Sequence, residues 1–278
     1  MTTARIDARF AALKQEGRAA FVAYVMGGDP DLSTSLNILK GLPAAGADVI
    51  ELGFPFSDPI GEGPTIQQAA QRSLAAGTKL DDVLGLARAF READQATPLI
   101  LMGYLNVVET RGYGAFARDI AAAGIDGAII VDCPPEESGP LADALDAAQV
   151  SLLQLFTPTS DDARLRTIAK RTTGFAYYVS VAGVTGVKEA DEQAVAPAVA
   201  RVREASGLPV CVGFGIRTPE RAAAIARIAD GAVVGSALVE EAARGGAEDV
   251  TARVLSKAAT LAKAVRGARI APSPAHAR

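Results

Sequence analysis

The sequence predicts an α/β protein, a single-domain (β/α)8 TIM barrel with an extra N-terminal helix, and three observations carry that reading. Eight short β-branched and aliphatic runs recur along the chain, at 20–25, 48–53, 99–103, 127–132, 151–156, 175–180, 209–213 and 231–235. They are continuous apolar runs rather than in-and-out alternations, as expected of strands covered on both faces. Helix-patterned segments separate them, so strand and helix alternate as right-handed parallel crossovers require. Eight such units close naturally into a barrel, with an open doubly wound sheet as the alternative.

The elements follow in order. Residues 5–15 have helical period and precede the first strand, and Ala-, Leu-, Arg- and Glu-rich helices are expected at 33–45, 80–93, 136–148, 161–170 and 219–228. A last helix is expected over 236–265. A weak internal rhythm supports the count: AGADVIELG, AGIDGAIIVD and IADGAVVGS each finish a helix, turn through Gly or Asp and enter a buried strand. No low-complexity linker divides residues 1–269, which are therefore expected to form one domain, while the Pro/Ala-rich tail 270–278 is expected to be disordered.

Composition narrows the chemistry. The 278 residues carry 28 basic and 32 acidic side chains, a formal charge of -4, which disfavours nucleic acid as the main partner. The single histidine, His276, lies in the tail and leaves no candidate for a histidine base or a His-rich metal site. Two cysteines, Cys133 and Cys211, are too few for a disulfide framework or a four-thiolate site and read as buried hydrophobes on strands. The N-terminal segment lacks a signal-peptide core, and no stretch approaches the ~20 apolar residues of a membrane span, so a cytoplasmic protein is expected.

Barrel chemistry sits at the C-terminal ends of the strands. Glu51 lies there inside an apolar run, Val49-Ile50-Glu51-Leu52, where lost hydration raises a carboxyl pKa toward the range useful for proton transfer. The bland reading is a buried acid paired with a distant arginine. Glu62 sits between Gly61 and Gly63, a backbone free enough to swing a carboxylate over the mouth, although alone it reads as a solvated loop acid. Two carboxylates facing one pocket can divide acid and base roles. Three glycine turns follow the last three strands, at 182–186, 213–216 and 234–237. Their amides, with a helix N-terminus behind them, suit a phosphate ester, although each alone is an ordinary strand-to-helix turn. No expected strand holds a lysine, which disfavours a Schiff base; Lys188 reads as a solvated loop residue. No metal-ligand cluster is visible. The residues themselves thus point to cofactor-free acid–base chemistry on a phosphorylated small molecule.

Four strings then carry a family resemblance: Ala23-Tyr24-Val25-Met26-Gly27-Gly28-Asp29-Pro30, Glu51-Leu52-Gly53-Phe54-Pro55-Phe56-Ser57-Asp58-Pro59, Gly63-Pro64-Thr65-Ile66-Gln67 and Gly183-Val184-Thr185-Gly186. In order, and over nearly the whole chain, they resemble the tryptophan synthase alpha chain family. The resemblance implies retro-aldol cleavage of indole-3-glycerol phosphate to indole and glyceraldehyde 3-phosphate. It implies that Glu51 is the proton-shuttling glutamate and that Glu62 replaces the usual aspartate at the indole N–H. It places phosphate on Gly186, Gly215, Gly235 and Ser236, and the indole among Tyr24, Tyr104, Tyr177 and Phe214. Thr185 matches a mobile-loop threonine, and Val181 stands where some members have arginine. The resemblance further implies a pyridoxal-phosphate β-chain partner, in an α2β2 assembly, docking near Pro55, Asp58, Pro59 and Asn106. Two rival readings are another phosphate-binding barrel, such as an isomerase, and a docking or activating subunit whose own lyase activity is weak.

Overall fold

Parallel pairing of short buried strands builds the molecule, and the computed structural model describes residues 4–180, 192–213, 215–245 and 250–269. The strands are β1 (Ala20–Met26), β2 (Val49–Gly53), β3 (Leu99–Gly103), β4 (Gly127–Ile130), β5 (Ser151–Leu152), β6 (Leu155–Phe156), β7 (Ala176–Val179), β8 (Val210–Gly213) and β9 (Gly231–Val234). Their order in the sheet is β5-β4-β3-β2-β1-β9-β8-β7-β6. The two ends of that order, β5 and β6, are separated only by Leu153 and Gln154, so the sheet curls back on itself through one stretch of chain. The architecture is the expected barrel, not an open sheet.

Helices cover the outside: α1 (Ala4–Gln15), α2 (Leu32–Gly41), α3 (Pro64–Ala75), α4 (Leu80–Ala93), α5 (Leu105–Arg111), α6 (Tyr113–Ala122), α7 (Gly139–Ala147), α8 (Asp162–Ala169), α9 (Glu192–Ser206), α10 (Pro219–Ile228), α11 (Ser236–Ala243) and α12 (Val250–Gly267). Helices α3, α5, α6 and α9 are not among the expected segments, and three of the differences at expected elements have local causes. The run 151–156 is split because it serves two neighbours: the Leu153 N–H donates to the Ala128 carbonyl at 2.9 Å, whereas Leu155 registers with Tyr177. The helix expected over 236–265 is two helices, with the Gly245-Gly246 pair between them. α2 stops at Gly41 rather than 45, two residues before Pro43. The tail 270–278 lies outside the described residues.

Strand alternation sends successive side chains to two different cores. Phe21, Ala23, Val25, Ile50, Leu52, Leu99 and Leu101 pack outward under the helices. Ala20, Val22, Tyr24, Val49, Ile100, Met102, Ile129, Phe175, Tyr177, Cys211 and Val233 fill the interior. Both faces are dry, which is why the strands read as continuous apolar runs. Ile6, Phe10 and Leu13, spaced along one face of α1, join the interior set, with the Phe10 and Phe175 ring centroids 5.5 Å apart. α1 therefore plugs one end of the barrel. The other end is left for chemistry.

The rhythm seen in the sequence has a physical role. Asp48, Asp126 and Asp230 each stand immediately before a strand and accept from a backbone N–H that opens a neighbouring strand: Phe21, Leu99 and Val210, at 2.8–2.9 Å. Each also holds an arginine, Arg18, Arg91 and Arg203 respectively. Asp126 takes Arg5 of α1 as well, at 2.8 Å, tying the plug to the barrel floor. Arg91 is 8% exposed at its side chain and Arg203 is 43% exposed. Loss of a buried partner strands a dry charge, whereas loss of an exposed one does not. Asp126→Ala is accordingly expected to cost about 3–5 kcal/mol in urea unfolding and Asp230→Ala about 1 kcal/mol or less for its ion pair; equal losses would contradict this account of the floor.

Candidate active site

β2 reads Val-Ile-Glu-Leu-Gly, with Val49 in the inner core and Ile50 and Leu52 in the outer one. The same alternation turns Glu51 into the barrel. Its side chain lies among apolar neighbours and is 0% exposed. Neither carboxylate oxygen has a hydrogen-bond partner, and no cation pairs with it among the described residues. The bland reading, a buried acid held by an arginine, therefore finds no support among those residues. Register places Tyr24 of β1 and Ile100 of β3 beside it. Burial, reinforced by the charge of Glu62, pushes the Glu51 carboxyl from 4.5 up to about 8.

Glu62 is not the solvated loop acid its glycine flanks suggested: it is 8% exposed. Its turn is tied rather than free. The Glu62 N–H donates to the Pro59 carbonyl at 3.0 Å, and the Gln67 side-chain amide donates to the Glu62 carbonyl at 2.9 Å. The Gly61 N–H donates to the Tyr104 hydroxyl at 3.1 Å, and the Tyr104 ring stacks on Phe56 with centroids 5.2 Å apart. Burial alone pushes the Glu62 carboxyl up to about 7. Tyr104 and Gln67 as holders of this turn were not foreseen. The Gly63-Pro64-Thr65-Ile66-Gln67 string contained the second of them, with Gly63 as N-cap and Pro64 opening α3.

Aromatic rings wall the space around the two carboxyls. Tyr24 and Tyr177 are buried, and burial first, then the two glutamates, raise their phenol pKa values well above the ordinary range. Tyr104 is raised too, chiefly by burial. Two strand-end glycines make room for these rings. A Cβ on Gly53 would lie 2.4 Å from the Tyr24 hydroxyl oxygen, and one on Gly213 would lie 2.3 Å from that of Tyr177. Any side chain there would displace a tyrosine from the wall.

Of the expected phosphate residues, Gly215 has φ 79° in the turn after β8, a left-handed backbone that favours glycine. Gly235 is the N-cap of α11 and Ser236 its first residue, so the opening amides of that helix, which have no partner within the helix, face the same end of the barrel. Gly186, Thr185, Phe214, Val181 and Lys188 lie outside the described residues. On the loop expected to dock a partner, Asp58 is exposed, as is Asn106 on α5. Pro55 and Pro59 are instead buried, because this segment folds back into the turn that presents Glu62. Ile60, 81% exposed, faces outward in their place. Cys211 is on β8 as expected, but Cys133 follows the end of β4, and burial pushes its thiol up to about 11. Among the described residues no three His, Cys, Asp or Glu side chains gather as metal ligands, and no helix is long and apolar enough to cross a membrane.

Residues 10–266 match the family model described as tryptophan synthase alpha chain. The chain is 70% identical over 271 residues to the tryptophan synthase alpha chain of Phenylobacterium zucineum (strain HLK1), covering 97% of this chain and 98% of that one. It is 65% identical to the tryptophan synthase alpha chain of Caulobacter vibrioides (strain NA1000 / CB15N), covering 97% and 99%. Among solved structures, tryptophan synthase subunit alpha from Legionella pneumophila str. Paris superposes with a TM-score of 0.88 at 38% identity, covering 95% of this chain and 98% of that one. A chain of Mycobacterium tuberculosis tryptophan synthase superposes with a TM-score of 0.86 at 36% identity, covering 94% and 98%. With its barrel, its paired buried glutamates and these relatives, the chain belongs to the tryptophan synthase alpha chain family.

Proposed function

We propose that Glu51 and Glu62 carry out the reaction of a tryptophan synthase alpha chain, the lyase cleavage of indole-3-glycerol phosphate to indole and glyceraldehyde 3-phosphate. The observation that carries this reading is the dry carboxyl of Glu51, which has no partner among the described residues and is raised further by a second buried carboxyl, Glu62. With its pKa raised to about 8, Glu51 holds a proton at neutral pH. It gives that proton to the indole C3, a step that is costly in water because it forms a ring cation. As the bond from C3 to the glycerol carbon breaks, its electron pair returns to the ring. The new Glu51 carboxylate takes the proton of the glycerol hydroxyl, which becomes the aldehyde. Glu62, raised by burial without the added repulsion that lifts Glu51, is the group that supplies negative charge. Facing the ring N–H⁺, it offsets the charge that develops there.

The same reading assigns the phosphate to the amides of Gly186, Gly215, Gly235 and Ser236 and the indole to Tyr24, Tyr104, Tyr177 and Phe214. The left-handed turn at Gly215 and the α11 N-terminus support the first assignment. The tyrosine wall supports the second. Residues 1–269 act as one catalytic domain, with Thr185 as the mobile-loop threonine that meets the catalytic carboxylates on closure. An alpha chain works with a β-chain partner. For this chain an α2β2 complex in the cytoplasm, with pyridoxal phosphate on the partner, completes the proposal. Exposed Asp58, Ile60 and Asn106 near the rim suit a docking face there.

Two predictions test these roles. In an indole-release assay, Glu51→Gln abolishes turnover while leaving glycerol 3-phosphate inhibition nearly intact, and Glu62→Ala slows cleavage at least about 10²-fold; substantial turnover in either variant removes that residue from the mechanism. The pH profile supplies the second. Activity needs Glu62 ionised and Glu51 protonated, so kcat/KM should rise with pH through about 7 and fall through about 8. In Glu62→Gln the repulsion that helps raise Glu51 is gone, so the alkaline limb of the residual activity should move to lower pH; an unmoved limb would separate the two groups.

A further inference from the structure

Three segments at the chemical end of the barrel meet on one oxygen atom. Thr65 lies in the first turn of α3, three residues after Glu62, and its hydroxyl donates to Oε1 of Glu240 at 3.2 Å. Arg217, two residues after Gly215, donates through Nη1 to the same Oε1. Glu240 itself lies four residues after Ser236 on α11, one helical turn along the same face. This single carboxylate therefore joins the turn carrying Glu62, the turn carrying Gly215 and the helix opening at Gly235 and Ser236.

The far end of α3 is anchored independently. Arg72 grips the buried Asp29 with two hydrogen bonds, Nε to Oδ1 at 2.7 Å and Nη2 to Oδ2 at 2.8 Å, and the Ser73 hydroxyl donates to the Gly27 carbonyl at 2.6 Å. With that end fixed to the β1 loop, and the backbone around Glu62 already tied to Tyr104 and Gln67, Thr65 supplies the link from the near end of α3 to the anion side of the rim. Thr65 holds Glu240, which Arg217 also grips. Arg217 also offsets the Glu240 charge.

We propose that Glu240 is a positioning residue that couples the phosphate-gripping turns to the placement of Glu62, through Thr65 on one side and Arg217 on the other. It touches no reacting atom. It rests on the reading that Glu62 supplies charge to the ring and that Gly215, Gly235 and Ser236 hold phosphate, and it adds the link between them. Misplacing a charge-stabilising carboxylate by ~1 Å is enough to cost turnover severalfold or more.

The test uses the full chain with indole-3-glycerol phosphate as substrate and glycerol 3-phosphate as a ring-free probe of the anion site. Thr65→Val removes only the donor, and Glu240→Ala removes the shared acceptor. Each should lower kcat about 5- to 10-fold, with the glycerol 3-phosphate inhibition constant changed less than about 3-fold in Thr65→Val. The double variant should be no slower than Glu240→Ala, because one linkage is lost only once. Glu240→Gln, which keeps the acceptor, should retain kcat within about 2-fold. A released Glu62 is better hydrated, so the acid limb of the pH profile should move below its wild-type position in Thr65→Val and Glu240→Ala. An unchanged kcat and acid limb in a Thr65→Val protein that melts like the parent would overturn the proposal, as would losses that multiply in the double variant. Glu62→Ala run in parallel separates the two readings. If it leaves the rate unchanged, the role of Glu62 falls; if it slows cleavage while Thr65→Val does not, only the coupling falls.

Discussion

Two buried carboxyl groups that feel one another's charge, without a described cation, are the constraint around which this molecule is arranged. Glu51 is fully enclosed and its oxygens have no described partner, an arrangement that folded proteins rarely keep without use for it. Its cost has a definite sign. The folded state holds protons on Glu51 and Glu62 that the unfolded chain releases near 4.5, so these groups oppose folding increasingly as pH rises from there to about 8. The stability that offsets them comes from elsewhere: the double apolar core, the α1 plug and the aspartate–arginine ties at the opposite end of the barrel.

That separation of duties has a structural logic. The repeated Asp48, Asp126 and Asp230 hold strand beginnings with full hydrogen bonding and paired charge. Strand ends carry the reverse. There, Gly53 and Gly213 give up side chains to tyrosine rings, and Glu51 goes without a described partner. A parallel barrel permits this because every strand starts at one rim and finishes at the other, so stability and reactivity need not compete for the same positions.

Much of this was legible in the sequence because the signals are local. Eight apolar runs marked the strands, and Glu51 stood out because its neighbours 49, 50 and 52 are apolar. The AGAD, AGID and IAD repeats were visible, but their arginine partners lie 27–35 residues away, and spacing alone does not reveal pairing at that range. Glu62 was harder. Its glycine flanks read as freedom, whereas the turn is tied to the hydroxyl of Tyr104, 43 residues from Gly61. The split at 153–154 was hidden for a similar reason: an apolar strand looks the same whether it serves one neighbour or two. Buried Pro55 and Pro59 show the limit of reading a surface from a motif, since the motif also builds the turn beneath that surface.

The longer arm of a glutamate at position 62 starts from a backbone that this tying holds in place. Three hydrogen bonds around residues 59–67 set the backbone from which the longer arm reaches. Enclosure keeps Glu51 protonated at neutral pH. Isotope-edited infrared titration of the protein, read as the difference between parent and Glu51→Gln in the carboxylic C=O band, tests it directly. A band persisting at pH 7 and vanishing near 8 is the result this account requires; ionisation near 4.5, the value of an ordinary glutamate, would contradict it.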